Sequence, residues 1–114
     1  MAAGLRHISL KTVDLKETER FYIKVLGLKV AFRFPKNVFL CSSNGNDMVH
    51  FMSSGKKIGA VQGLDHFGFK VAPPKLKKLE KKLQENAVKI EGRRGRDSIY
   101  FRDPNGYLVE FYCD

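Results

Sequence analysis

The sequence predicts an α+β fold built from two copies of a single β-α-β-β-β module, and three observations carry that prediction. First, Gly4-Leu5-Arg6-His7-Ile8-Ser9-Leu10-Lys11 recurs 59 residues later as Gly63-Leu64-Asp65-His66-Phe67-Gly68-Phe69-Lys70, keeping Gly, Leu, His and Lys with the apolar alternation in step. Second, each copy is followed by a helix signal. Third, each copy ends in short runs rich in β-formers, with Asn44-Gly45 and Asn105-Gly106 as hairpin signals before the last strand.

In the first module the opening strand leads to Asp14 with Glu17 three residues on, a capping-box-like helix start. Leu15, Tyr22, Val25 and Leu26 supply the apolar stripe, and Gly27 ends it. Strands follow at Leu28 to Phe34, Asn37 to Cys41 and Asp47 to Met52. In the second module Pro73-Pro74 starts the helix, because proline is tolerated only in the first turn, and Leu76, Leu79 and Leu83 mark its buried stripe. Its strands fall at Val88 to Glu91, Ser98 to Arg102 and Tyr107 to Tyr112. These signals divide a single domain, residues 1–114, into module 1 over about 4–53, a Gly- and Lys-containing linker over about 54–62, and module 2 over about 63–114.

With 114 residues the chain has room for one core and no separate cofactor domain. A hydrophobic share of 43% and a charged share of 29% exclude disordered, collagenous and coiled-coil classes. No window offers the ~20 apolar residues of a membrane helix, and Met1 to Leu10 lacks a signal peptide's apolar run, which predicts a cytoplasmic protein with no membrane partner. Cys41 and Cys113 sit among strand residues and read as reduced, buried thiols. The net charge of +9 attracts anions in general. Much of it lies in Lys75, Lys77, Lys78, Lys81 and Lys82, whose helical spacing turns them to solvent; no nucleic-acid recognition motif accompanies them.

Strand parity sorts the candidate functional residues. Ile8 and Leu10 point one way and His7 with Ser9 the other; Phe67, Phe69 and Val71 oppose His66 and Gly68; Val49 and Phe51 oppose His50; Val109 and Phe111 oppose Glu110. The three histidines of the chain and one carboxylate thus occupy repeat-equivalent places, 7 with 66 and 50 with 110. A lone strand histidine is ordinarily a core or surface residue. Four coincident places across a repeat are instead the donor set of Fe, Mn, Co, Ni or Zn.

The paired modules, the early Gly-Leu-x-His, the run Phe21-Tyr22-x-x-Val25-Leu26-Gly27-Leu28 and the closing Phe101-x-Asp103-Pro104-x-Gly106-x-x-x-Glu110 resemble the vicinal oxygen chelate superfamily. That group takes in glyoxalase I, methylmalonyl-CoA epimerase, extradiol dioxygenases, and the fosfomycin- and bleomycin-resistance proteins. The resemblance implies a glyoxalase-like open β-barrel with a divalent metal ion ligated by His7, His66 and Glu110. It puts a fourth place at His50, where glyoxalases usually carry Glu and the epimerases Gln. It further implies a homodimer whose active sites are shared, the first module of one subunit facing the second module of the other. A cup formed within one chain is the alternative.

The implied chemistry is a glyoxalase-type lyase or isomerase acting on a small anionic substrate that chelates through vicinal oxygens, with Glu110 and His50 as catalytic residues. Ser9, Ser98, Tyr100 and Tyr112 are candidates to line the cup. Arg93, Arg94 and Arg96 read as a basic loop before the seventh strand, suited to a carboxylate, phosphonate or phosphate. The alternatives are an Fe(II) extradiol-type dioxygenase, if His50 stays off the metal, and a metal-free drug-binding resistance protein. Fosfomycin modification is disfavoured on two counts. Of the potassium-binding loop of the fosfomycin thiol transferases only Asp97-Ser98 survives, and the chain stops four residues after Glu110.

Overall fold

The computed structural model describes residues 1–59 and 63–113. The chain divides into two compact units, residues 1–59 and 60–114, and each holds its own four-stranded sheet. Residues 60–62, the end of the predicted linker, lie outside the described residues.

Unit 1 runs β1 (His7–Thr12), α1 (Leu15–Arg20), β2 (Lys29–Phe34), β3 (Asn37–Cys41) and β4 (Met48–Ser53), in the sheet order β1-β4-β3-β2. β1 pairs with β4 in parallel, and the other two pairings are antiparallel. Asp14 caps α1 by accepting from the Glu17 N–H at 3.0 Å. The box is only half made, because the Glu17 carboxylate is taken by Arg20 at 3.0 Å. The predicted single helix up to Gly27 instead widens at Arg20 into a π-helical turn, Phe21–Val25, closed by Leu26 N–H on Phe21 O at 3.2 Å. That extra residue per turn buries Phe21, Tyr22 and Val25 together, with Tyr22 against Phe51 at 4.9 Å between ring centroids. Gly27 then leaves the helix at φ +79°, a conformation costly for any side chain.

Unit 2 runs β5 (Phe67–Lys70), α2 (Pro73–Glu85), β6 (Ile90–Arg93), β7 (Ser98–Arg102) and β8 (Leu108–Tyr112), in the order β5-β8-β7-β6, with β5 and β8 parallel. Leu76, Leu79 and Leu83 are buried on α2, while Lys75, Lys77, Lys78, Lys81 and Lys82 are exposed. Ile99, Phe101, Val109 and Phe111 form the sheet's apolar side; each such burial stabilises by about 1.5–3 kcal/mol. Asp103 is buried where the closing motif begins, and its Oδ1 accepts from Asn105 N–H at 2.8 Å and Tyr107 N–H at 2.9 Å. Gly106 completes the turn at φ +91°, so this segment fixes where β8 starts and hence where Glu110 points. Cys41 and Cys113 are free and buried. Among the described residues no helix is long and apolar enough to cross a membrane.

Candidate metal centre

The register of unit 1 brings His7, Ser9 and His50 to one face of its sheet. Ser9 pairs directly with His50 across β1 and β4, and Phe39 of β3 pairs with His50 from the other side. The Phe39 ring stacks on the His50 imidazole, centroids 3.9 Å apart and planes 15° apart, and takes the His7 ring edge-on at 5.8 Å. Both His50 nitrogens have partners, Nδ1 with Ser9 Oγ at 2.9 Å and Nε2 with Asn37 Oδ1 at 2.9 Å. Burial, and then the proximity of His7, push the His50 pKa below the ordinary imidazole value, so the ring rests neutral.

Unit 2 repeats the layout with different chemistry. His66 immediately precedes β5 and reaches Asp65 Oδ2 through Nδ1 at 2.7 Å and Glu110 Oε1 through Nε2 at 3.2 Å. Its pKa is raised, chiefly by the hydrogen bond to Asp65, against burial and with help from Glu110. Glu110 is 7% exposed. Burial alone would hold its proton on, but Tyr100, Arg94 and Ser98 outweigh that, and the carboxyl lies below its ordinary pKa. Arg94 donates to Oε2 at 3.3 Å. The Ser98 hydroxyl, although it favours the carboxylate electrostatically, is buried without a partner in hydrogen-bond geometry. Gly68 pairs with Glu110, and a Cβ there would meet Glu110 Oε1 and its backbone oxygen at 3.4 Å. The missing side chain leaves open space beside the carboxylate that a methyl would fill at ordinary contact distance.

Among the described residues no group of three or more His, Cys, Asp or Glu side chains forms a metal-holding cluster. Each unit carries two of the four candidate donors, His7 and His50 in one, His66 and Glu110 in the other. The residues fit a divalent ion by their chemistry. Asp65 fixes the Nδ1 proton of His66 and leaves Nε2 as the donor nitrogen, Glu110 is held ionised, and the orphaned Ser98 hydroxyl sits beside it.

The three arginines do not act as one loop. Arg93 ends β6 and ion-pairs with Glu80 of α2, only Arg94 turns to Glu110, and Arg96 is exposed. Tyr100 and Tyr112 lie half-buried on the Glu110 face, Tyr100 opposite Glu110 and Tyr112 opposite Ser98. Sequence reasoning missed Asn37, Phe39 and Asp65. Asp65 stands next to His66 and was within reach of a search for carboxylates beside the histidines. Asn37 and Phe39 meet His50 only through strand register.

Residues 4–111 match the model of the Glyoxalase/Bleomycin resistance protein/Dioxygenase superfamily, and the chain belongs to that family. It is 29% identical to the metallothiol transferase FosB of Bacillus licheniformis, over 96% of this chain and 74% of that protein. It is 31% identical to the biphenyl-2,3-diol 1,2-dioxygenase 3 of Rhodococcus globerulus, over 96% of this chain but only 63% of the dioxygenase. Among solved structures it superposes, with a TM-score of 0.80 and 23% identity over 98% of this chain and 90% of that one, on a mutant of the fosfomycin resistance protein FosX of Listeria monocytogenes. That structure holds Mn(II) and 1S,2S-dihydroxypropylphosphonic acid. Members of the family include metal-dependent glyoxalases, dioxygenases and fosfomycin-resistance enzymes. The expectation that disfavoured fosfomycin modification is withdrawn, because fosfomycin-resistance relatives are among the similar proteins.

Proposed function

We propose that this chain is a divalent-metal-dependent enzyme in which His7, His66 and Glu110 hold the ion and a small anionic substrate presents two neighbouring oxygens, for proton transfer, isomerisation or addition. The observation that carries this reading is Glu110, a buried carboxylate kept ionised by Tyr100 and Arg94 with the Nε2 of an Asp65-oriented histidine against its Oε1. A bound divalent ion would supply stabilisation of negative charge on the substrate oxygens. Arg94 adds positive charge beside the carboxylate for an anionic group. The likeness to a metallothiol transferase supports counting thiol transfer among the additions of this reading.

Ring cleavage by an Fe(II) extradiol-type dioxygenase is the second reading. His50, hydrogen-bonded at both nitrogens, leaves His7, His66 and Glu110 as a two-histidine, one-carboxylate set, and a dioxygenase is among the relatives. The two donors of each unit support ligand sets completed between copies of the chain in a homodimer. A mixed dimer of His7→Ala and Glu110→Ala chains then keeps one complete site.

Elemental analysis of protein purified without chelator or affinity tag tests the reading against His66→Ala and Glu110→Ala controls. Stoichiometric Ni, Co, Zn or Mn, lost in both controls and retained in His50→Ala, is the expected result. Iron with oxygen-dependent turnover of a catechol moves the assignment to the second reading. A wild-type protein that takes up no ion, even after incubation with each, overturns both and leaves a small-molecule-binding protein.

A further inference from the structure

The two units carry the same strand layout but have diverged where it matters. In unit 2 the β8 residue facing the site is Glu110, paired with Gly68, which has no side chain to reach it. In unit 1 the matching β4 residue is His50, paired with Ser9, whose hydroxyl does reach it at 2.9 Å. Tyr100 lies opposite Glu110 and supports its charge; Phe39 lies opposite His50 and packs flat on the ring. Ser98 starts β7 with its hydroxyl unpartnered, whereas Asn37, at the same register place in β3, engages His50 Nε2 at 2.9 Å. One unit therefore presents a carboxylate with open space beside it and the other a chain of hydrogen bonds through an imidazole.

The chemistry of the partners sets the direction of that chain. The Asn37 carbonyl oxygen can only accept, so His50 carries its proton on Nε2 and donates it to Oδ1. Nδ1 then holds a lone pair and accepts from the Ser9 hydroxyl. Ser9 is exposed on the face that carries His7.

We propose that Ser9, His50 and Asn37 form a proton relay for the substrate, with Ser9 as the catalytic residue that touches it, His50 as the proton acceptor behind Ser9, and Asn37 as the positioning residue that fixes the tautomer. A substrate hydroxyl gives its proton to Ser9 Oγ as Ser9 passes its own to His50 Nδ1. The substrate keeps the electron pair as an oxyanion, and the imidazolium keeps Nε2–H on Asn37. The reverse transfer returns the proton to the product and restores neutral His50. The relay makes Asn37 matter to turnover although it never meets the substrate.

The relay rests on the metal-enzyme reading for the molecule that gives up the proton, while its hydrogen-bond chain is measured without metal or substrate. Nitrogen NMR of the His50 ring in chelator-treated protein is expected to show a protonated Nε2 and a bare Nδ1 in wild type and in Asn37→Asp, which keeps the acceptor. Asn37→Leu is expected to mix the two tautomers. In the metal-loaded enzyme Asn37→Leu is expected to lose about 100-fold in kcat with KM and metal content unchanged, and Asn37→Asp to restore most of it. Ser9→Ala is expected to lose a similar factor, and the double variant no more than either single one.

A wild-type ring protonated on Nδ1 overturns the relay whether or not metal binds. So does a kcat in Asn37→Leu within about twofold of wild type once its tautomers are mixed. A wild-type protein that binds no divalent ion overturns the functional reading and the relay with it.

Discussion

Gly68 offers the sharpest separation of stability from function. It lies in β5 with no left-handed backbone angle, so alanine is conformationally allowed, and alanine in a strand is worth about 0.5–1 kcal/mol over glycine through the unfolded chain's entropy. The added Cβ would stand 3.4 Å from Glu110 Oε1 and from its backbone oxygen, and 3.5 Å from its Cβ. These are contacts at the close end of the ordinary range, so neither the backbone nor the carboxylate has to move, but the methyl confines the carboxylate's rotation. Metal-free Gly68→Ala is therefore expected to melt roughly 2–6 °C above wild type. Its carboxylate, confined by the methyl and less able to turn onto an ion, is expected to bind a divalent ion about 10-fold more weakly. That weakening lowers the metal-induced stabilisation by about 1.4 kcal/mol at saturating ion. Thermal unfolding with chelator, then with a fixed excess of the ion, reads both quantities on one sample, and competition with a chromophoric chelator checks the affinity. A variant that is more stable without metal and binds the ion as tightly as wild type would refute the idea that a side chain at position 68 confines Glu110.

Other outcomes follow from local features. Helix α2 ends with Val88 N–H on Leu83 O at 2.8 Å and Ala87 at φ +57°, a left-handed position that the first module gives to Gly27. Ala87→Gly is expected to stabilise by about 1 kcal/mol, seen as a higher denaturant midpoint at constant slope. His66 has a folded pKa above its unfolded one, so its contribution to metal-free stability is full below about pH 6.5 and fades as pH rises through the folded value. Because Asp65 is the main cause, Asp65→Asn is expected to lose stability relative to wild type at pH 5.5–6 and to match it near pH 9, checked by chemical denaturation in chelator across that range.

Much of this protein was legible before any coordinates. The repeat and its parity put His7, Ser9 and His50 on one face of one sheet and Glu110 on the corresponding face of the other, and the register has them there. The helix starts at Asp14 and Pro73 were equally plain, because a cap or an N-terminal proline is written within a few residues. The π-helical turn at Phe21–Val25 was not, since its pattern of apolar residues also fits an ordinary helix; the structure shows the wider turn with Tyr22 packed on Phe51. Nor was the parting of Arg93 from Arg94. Adjacent residues at a strand's end project to opposite sides, and Glu80, which claims Arg93, comes from a helix thirteen residues earlier.

The α+β class, the two modules, the family and the side of each sheet on which the candidate donors lie are all readable in the order of the amino acids. The family follows from the resemblance of its motifs, and the rest from short-range periodicity and an internal repeat. Tertiary structure decided the chemistry of those donors. It occupied both nitrogens of His50, made Glu110 a buried anion despite its desolvation, and left the Ser98 hydroxyl without a partner. Charge state and hydrogen bonding depend on ångström-scale distances between strands far apart in the chain. Strand register and packing set those distances, and periodicity does not encode them.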